Sequence, residues 1–123
     1  MNIRNSPNYD ARPEGIEIDM LVLHYTGMKT GEAALERLCD PEAKVSAHYL
    51  IHENGDVVQM VEEANRAWHA GVASWRGEAD VNARSIGIEL VNPGHEFGYR
   101  EFPDAQLTAL EGLCFDIFSR HAI

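Results

Sequence analysis

The stretch LVLHYTG, from Leu21 to Gly27, joins a run of apolar residues to one histidine and then to a glycine. Within the longer segment IEIDMLVLHYT, the part from Met20 to Leu23 is apolar without alternation, which is the pattern of a strand covered on both faces. The segment therefore predicts a central strand in a sandwiched sheet. Because this strand ends near His24, we expect its imidazole at the rim of the sheet, where loops begin and ligands are usually met.

Around this strand, the sequence predicts two helices, a hairpin and a further strand. TGEAALERLCDP, at 30–41, is typical of a short helix closed by a proline. VSAHYLIHENGDVVQMV, at 45–61, predicts a hairpin, because Asn-Gly supplies the positive φ values that a tight turn requires. SIGIELV, at 85–91, predicts a strand that contains Glu89. The segment at 103–121 predicts a helix with one apolar stripe, formed by Leu107, Leu110, Cys114 and Ile117.

The length of 123 residues suits one domain, which can bury a core without disulfides or a structural metal. Prolines and a glycine among polar residues predict an extended N-terminal arm at 1–15, followed by the domain at 16–123. The segment between 61 and 85 is rich in Ala, Gly and polar residues, and it is long for a loop in a small domain. Such loops tend to be functional.

The charge balance limits the classes of partner. Twenty acidic against ten basic residues give a formal net charge of -10, which repels nucleic-acid phosphates and anionic lipid surfaces. We therefore expect no nucleic-acid partner and no membrane partner. A neutral or cationic ligand fits this charge better.

The sequence also bears on the compartment of the protein. The opening residues lack the apolar core of a signal peptide, and no apolar run approaches the ~18 residues of a membrane span. This predicts a cytoplasmic protein, with the periplasm or cell envelope open if a leader was removed. Cys39 and Cys114 lack CxxC spacing, so two separate thiols are favoured over a disulfide.

Four segments, LVLHYTG, VSAHYLIHENGDVVQMV, RAWHAGVASWRG and NARSIGIELVNPG, follow one another along the chain. Together, over residues 16–120, they resemble the zinc-dependent N-acetylmuramoyl-L-alanine amidases, the family that includes peptidoglycan recognition proteins and phage T7 lysozyme. The resemblance implies an α/β fold, a mixed β-sheet flanked by helices on both faces, with a groove that holds a muropeptide. It also implies hydrolysis, by zinc-activated water, of the amide between N-acetylmuramic acid and L-alanine in peptidoglycan or muropeptides.

The resemblance assigns roles to individual residues. His24 matches the first zinc ligand, and Glu89 matches an acidic residue beside the metal-bound water. A glutamate desolvated between Ile88 and Leu90 has a raised pKa, which suits a general base near neutral pH. Three further residues fall where the family lines its substrate groove: Trp68, His69 and Asn82.

One part of the family pattern is missing from this sequence. The family takes its second histidine ligand, its final Asp or Cys ligand and a catalytic lysine from a run such as H-S-D-I-x-P-x-R-K-x-D-P-G after the last long helix. No such run follows Arg120. Catalytic zinc normally needs three protein ligands, so His24 alone is not expected to hold the ion. The resemblance thus implies a domain that is incomplete at its C-terminus.

Other interpretations stay open at this point. The chain could be a muropeptide-binding module without metal, or an inactive truncated amidase. His24 could be a strand-end histidine bonded to backbone, Glu89 could be paired structurally, and His69 could stand in for a missing ligand. Trp68 and Trp75 could pack in the core rather than carry a sugar ring. The substrate could be intact peptidoglycan or a soluble anhydro-muropeptide.

Overall fold

The computed structural model of the protein describes residues 1–71, 74–75, 78–98 and 100–123. Of residues 74–75 and 78–79 it describes only the backbone. The loop expected to line the groove therefore falls partly outside the described residues, and so does the side chain of Trp75.

A mixed sheet organises the described part of the chain. Its five strands lie in the order β1 (Asn2–Ile3), β5 (Val57–Gln59), β4 (Tyr49–Ile51), β9 (Ser85–Leu90) and β3 (Met20–Tyr25). Two short antiparallel pairs lie beside it, β2 (Tyr9–Ala11) with β6 (Asn65–Ala67) and β7 (Ser74–Trp75) with β8 (Glu78–Ala79). The helices are α1 (Gly31–Leu38) and α2 (Asp104–Arg120), and 3-10 turns span Val81–Arg84 and His95–Phe97.

One helix covers each face of the sheet, as the resemblance implies. On one face, Leu35 of α1 belongs to a core cluster with Leu50 of β4. On the opposite face, Ile117 of α2 belongs to a second cluster with Ile51. Because Leu50 and Ile51 are neighbours on one strand, their side chains point to opposite faces and separate the two clusters.

Two local predictions are confirmed. Helix α1 begins after Thr30, whose hydroxyl accepts a hydrogen bond from the Ala33 amide at 3.1 Å and so caps the helix. Strands β4 and β5 form the antiparallel hairpin around Asn54 and Gly55. Gly55 has a φ of 96°, and a Cβ there would lie 2.9 Å from the backbone oxygen of Ala105, so both conformation and space require glycine.

The strand order corrects the predicted position of β3. The middle strand of the five is β4, and β9 is an interior strand that lies between β4 and β3. In the described part of the chain, β3 pairs with β9 alone and is an edge strand. Leu23 and Tyr25 are 48% and 53% exposed, so the prediction of a strand covered on both faces is wrong. An apolar run indicates a surface that favours burial, but it does not specify the element that covers it.

The buried face of α2 confirms three of the four residues of the predicted stripe. Ile117 is fully buried, and Leu110 and Cys114 are partly buried against the same core cluster, whereas Leu107 is 39% exposed. Leu113 and Gln106 are buried as well. Gln106 is a polar residue on the core side, where its Nε2 donates to the backbone oxygens of Ile51 at 2.9 Å and Val91 at 3.1 Å. Hydrophobic periodicity did not indicate Gln106, because a buried, hydrogen-bonded glutamine carries no apolar signal.

The N-terminal arm, residues 1–15, contains the two short strands β1 and β2 and is part of the fold. Strand β1 pairs in parallel with β5, and β2 pairs with β6. Asn8 is buried, and its Nδ2 donates to the backbone oxygens of Asp40 and Val45, both at 2.8 Å. Arg12 donates to the backbone oxygens of four residues on two other segments, which are Glu63, Asn82, Ala83 and Ser85. The arm therefore links the hairpin region to the start of β9.

Neither of the described helices combines the length and the apolar character that crossing a bilayer requires. Both cysteines are free thiols, as predicted. Cys39 follows α1 and Cys114 lies within α2, so the two sulfurs belong to opposite faces of the sheet.

Glu63 fixes the C-terminal end of α2. Its carboxylate accepts hydrogen bonds from Arg120 and from the hydroxyl of Tyr49 on β4, and it pairs with His121 at 2.8 Å. Burial alone would raise the pKa of Glu63, but the hydrogen bonds from Arg120, Tyr49 and His121 lower it to about 2. The charged carboxylate is therefore favoured by the folded state.

We predict that Glu63→Gln lowers the free energy of unfolding at pH 7 by about 1–3 kcal/mol, because charge-assisted hydrogen bonds to a largely buried group are lost. Since the folded pKa lies below the unfolded value, the contribution is complete above pH ~4.5 and declines as the pH falls toward 2. Urea denaturation at pH 7 and pH 3 measures both effects. The exposed neighbour Glu62→Gln is the control, and equal losses in the two variants would contradict the assignment.

Candidate active site

The register between β3 and β9 places the two principal candidates side by side. The strands are parallel, and His24 is the register partner of Glu89. Side chains of register partners project from the same face of a sheet, so the imidazole and the carboxyl group are neighbours. Glu89 shares a cavity with Ala34 and Leu38, so this face is the one that α1 covers.

A glycine admits a second imidazole to this face. Gly87 lies two residues before Glu89 on β9, and a Cβ there would be 2.5 Å from Cγ of the His69 ring. The ring of His69 therefore lies directly over the backbone of β9, which a side chain at Gly87 would prevent. From there its Nδ1 is 3.0 Å from Nε2 of His24, and its Nε2 is 2.9 Å from the hydroxyl of Ser85.

A third histidine supports this arrangement from below. His48 is fully buried, and the amide of Gly87 donates to its Nδ1 at 3.1 Å. Burial lowers the pKa of His48 to about 4, so the ring is neutral and its single proton lies on Nε2. That proton is donated to the backbone oxygen of Asn65 at 2.9 Å. The nearby Nη2 of Arg12, at 3.2 Å, is also a donor and thus makes no hydrogen bond to Nε2.

His69 connects Ser85 to His24. Burial lowers the pKa of His69 to about 3, so this ring is also neutral near pH 7 and carries one proton. If Nδ1 holds the proton, His69 donates to His24 and accepts from Ser85. If Nε2 holds it, His69 donates to Ser85 and accepts from His24. Burial also lowers the pKa of His24. The described geometry therefore presents two neutral imidazoles in hydrogen-bond contact.

Glu89 has the properties of an acid–base group. Its Oε2 is buried and has no hydrogen-bond partner among the described residues. Burial raises the pKa of Glu89 to about 7. The carboxyl group lines a cavity of about 350 Å³ that also contacts His69, Met28 and Arg37. A cavity lined by a carboxyl group whose pKa is raised by burial offers a place where a water molecule or a substrate can be bound.

The other two predicted site residues play less direct parts in this geometry. Asn82 is 7% exposed, and its Oδ1 accepts hydrogen bonds from the amides of His69 at 3.1 Å and Ala70 at 2.9 Å. It therefore lies beneath the loop and holds His69 over the sheet. Trp68 is partly buried, and its amide and carbonyl both bond to Ser46. The structure thus brings together His24, His69 and Glu89, while Asn82 positions the loop.

Sequence reasoning missed the residues that support the site. A glycine inside the apolar strand SIGIELV is a signal for close approach of another group, and it could have identified Gly87. Ser85 and His48 carry no such signal, because their contacts depend on segments that are distant in the sequence. Arg12 was missed for the same reason, since its acceptors are carbonyl groups that any residue provides.

Zinc does not fit the described residues by themselves. Within the described ranges, no three His, Cys, Asp or Glu side chains are placed to hold one ion. His24 Nε2 and His69 Nδ1 are in hydrogen-bond contact with each other, and both nitrogens of His48 are bonded to backbone. A catalytic zinc needs three protein ligands and an open position. Among the described residues, His24 is therefore one candidate zinc ligand, and they do not provide a complete set.

Known proteins share both the sequence and the backbone of this chain. The family model for N-acetylmuramoyl-L-alanine amidase, Amidase_2, matches residues 14–123. The 1,6-anhydro-N-acetylmuramyl-L-alanine amidase AmpD of Salmonella typhimurium is 39% identical over 102 residues, which cover 69% of this chain and 54% of that protein. The chain thus spans about half the length of the curated relatives it matches.

Two solved structures extend the similarity to the fold. A crystal structure of a selenomethionine derivative of AmpD is similar with a TM-score of 0.85 and 33% identity, covering 98% of this chain and 74% of the other. The amidase AmiD from E. coli, solved with the substrate anhydro-N-acetylmuramic acid-L-Ala-D-gamma-Glu-L-Lys, gives a TM-score of 0.77 and 35% identity. That match covers 98% of this chain and 48% of AmiD.

The matched residues include the strand that carries His24, the loop that carries His69 and the interior strand that carries Glu89. Sequence and backbone therefore agree over the same segments that build the candidate site. On these grounds the chain belongs to the N-acetylmuramoyl-L-alanine amidase family.

Proposed function

We propose that the protein hydrolyses the amide bond between N-acetylmuramic acid and L-alanine in muropeptides. The observation that supports this most directly is Glu89, whose side chain lines a cavity, whose Oε2 is buried without a hydrogen-bond partner among the described residues, and whose register partner is His24. With a pKa of about 7, Glu89 is populated in both protonation states near neutral pH. It can take a proton from the attacking water and return it to the leaving amine of L-alanine.

In this proposal each residue of the site has a separate part. Glu89 is the catalytic acid–base group. His69 contacts the substrate from its position over Gly87, and Trp68 lines the groove beside it. Asn82 acts on the substrate through the loop, since its oxygen is engaged by the amides of His69 and Ala70.

We propose that the active form also uses zinc, with His24 as one ligand. The remaining ligands then come from outside the residues that the structure describes, because no suitable group of three lies within them. When bound, zinc would act as a Lewis acid toward the amide carbonyl and lower the pKa of bound water.

The names of the relatives favour a soluble substrate. Several are described as 1,6-anhydro-N-acetylmuramyl-L-alanine amidases, and AmiD was solved with an anhydro-muramyl tripeptide. We therefore propose an anhydro-muropeptide rather than intact peptidoglycan as the substrate. We propose the cytoplasm as the site of action, which suits two free thiols.

A muropeptide-binding module without catalysis is the second candidate. It is favoured by one observation, the incomplete set of zinc ligands among the described residues. The two candidates share the groove and differ in hydrolysis, so substrate binding and product release must be measured separately.

We predict that Glu89→Gln lowers kcat by about 10² to 10⁴, the usual contribution of a positioned general base. The assay follows release of the L-alanyl peptide from an anhydro-muropeptide with zinc added. Gln keeps the shape and removes a carboxylate whose charge burial disfavours, so the thermal midpoint should not fall. The exposed Glu111→Gln on α2 is the matched control and should hydrolyse normally. Binding of the muropeptide without any hydrolysis by the unchanged protein would favour the binding module.

We predict that the protein retains well under one zinc per chain after dialysis, because at most two nearby imidazoles are available to one ion. Elemental analysis of the dialysed protein measures the ratio, with His24→Ala as the comparison. Stoichiometric zinc that disappears in His24→Ala would show that this chain completes the site in a way that the described contacts do not reveal.

We predict that the protein binds a muramyl tripeptide more tightly than the free tripeptide, since the hairpin and the start of the groove loop are in place. Calorimetric titration of the two ligands under the same conditions compares the affinities, with a chelator present to prevent hydrolysis. Equal affinity for both ligands would count against recognition of the muramyl group, and with it against both candidate functions.

A further inference from the structure

Arg37 differs from the other described arginines in having no partner. Every other one either pairs with a carboxylate or, in the case of Arg12, donates to four backbone oxygens. Among the described residues, no hydrogen bond or ion pair involves the guanidinium of Arg37. In a chain with twenty acidic residues, an unpaired arginine is a local exception to the overall negative charge.

The position of Arg37 beside the candidate site suggests a role for its unpaired positive charge. It lies in the last turn of α1 and lines the cavity of about 350 Å³ that His69 and Glu89 also line. The lining further includes apolar residues, among them Met28, Leu38 and Val45, and the hydroxyl residues Thr26 and Ser46. The cavity therefore combines an acid–base group, a small apolar surface and a free cation.

The chemistry of this lining matches the peptide part of a muropeptide better than the sugar part. Sugar rings commonly rest on exposed aromatic faces, and among the described residues that line the cavity the one aromatic ring is the imidazole of His69. The acylated muramoyl group carries no carboxylate, because its lactyl carboxyl group is the one in the amide. In a stem of the form L-Ala-D-γ-Glu-L-Lys, the linkage through the γ-carboxyl leaves the α-carboxylate of D-Glu free. That carboxylate is one residue beyond L-alanine and close to the bond to be cleaved.

The size of the cavity agrees with the same assignment. A volume of about 350 Å³ lies at the small end of the ~300–1,000 Å³ of ligand sites, so the cavity suits a short segment of the substrate. With the scissile amide at Glu89, the next groups along the peptide are the methyl group of L-alanine and the α-carboxylate of D-Glu. Apolar residues and Arg37 line the same cavity as Glu89, so the cavity offers a partner of matching chemistry for each of these groups.

We propose that this cavity is the subsite for the stem peptide and that Arg37 binds the α-carboxylate of its second residue. The inference rests on the proposed function and adds a specificity-determining residue to it. Met28, Leu38 and Val45 receive the methyl group of L-alanine. The guanidinium also offsets the repulsion between an anionic ligand and a protein with a net charge of -10.

The test compares two probes that differ only at the carboxylate in question. They are N-acetylmuramyl-L-Ala-D-γ-Glu-L-Lys and the same compound with the α-carboxylate of Glu converted to a carboxamide. Calorimetric titrations of the whole chain, with a chelator present, measure both affinities. The variants are Arg37→Gln, Arg37→Lys and the matched charge control Arg100→Gln, since Arg100 is exposed and pairs with Glu53 away from the cavity.

We predict that the unchanged protein binds the carboxylate probe about tenfold more tightly than the carboxamide, the scale of one charge-assisted hydrogen bond at a partly exposed site. Arg37→Gln should remove this preference, Arg37→Lys should keep part of it, and Arg100→Gln should keep all of it. Added salt should weaken the preference of the unchanged protein.

The outcomes separate the inference from the function on which it rests. If the unchanged protein binds both probes equally, or if Arg37→Gln retains the preference, Arg37 is not the carboxylate site, although muropeptide binding stands. If the unchanged protein binds neither probe, the proposed function and the subsite are both overturned. Thermal midpoints of the variants show whether a lost preference comes from a loss of folding.

Discussion

The parallel register between β3 and β9 is the constraint on which the candidate site depends. It places His24 beside Glu89 and Val22 beside Gly87, and hence fixes which side chains share the face under α1. A shift of one residue would send His24 to the opposite face, because side chains alternate along a strand. Both strands lack a hairpin that could set this register locally, so the pairing is held by more distant contacts. Arg12 supplies several of them where β9 begins.

The site depends equally on the removal of water from polar groups. His48 and His69 are neutral because burial disfavours their charged forms, and burial likewise keeps a proton on Glu89 at higher pH. Each buried nitrogen of His48 and His69 has a hydrogen-bond partner, whereas one oxygen of Glu89 has none. An unsatisfied buried carboxyl oxygen costs stability, so its presence beside a cavity points to chemistry rather than to structural support.

The sequence predicted the parts of the fold that local signals determine. Thr30 and the apolar spacing after it defined α1, and Asn54-Gly55 defined the hairpin, because caps and tight turns depend on neighbouring residues. The family resemblance supplied His24, His69 and Glu89 as site residues.

Strand order, by contrast, depends on which elements meet in space, and the apolar run at 20–23 could not show that it lies at an edge. The predicted stripe of α2 was confirmed at Leu110, Cys114 and Ile117, but it did not include Gln106, which is polar and buried. Gly87 could have been noticed as a glycine inside an apolar strand, whereas Ser85 acts through a distant loop and could not be recognised from its own neighbours.

The open edge of β3 has a consequence for the behaviour of the protein in solution. An edge strand with unpaired amides and carbonyls can accept any extended backbone, and Leu23 and Tyr25 add exposed apolar surface next to it. Such an edge is a template for self-association, with a strand of another molecule extending the sheet. The net charge of -10 opposes this, because it keeps the molecules apart. Colloidal stability therefore rests on a balance between backbone pairing and long-range repulsion, and concentrated salt shifts that balance toward aggregation.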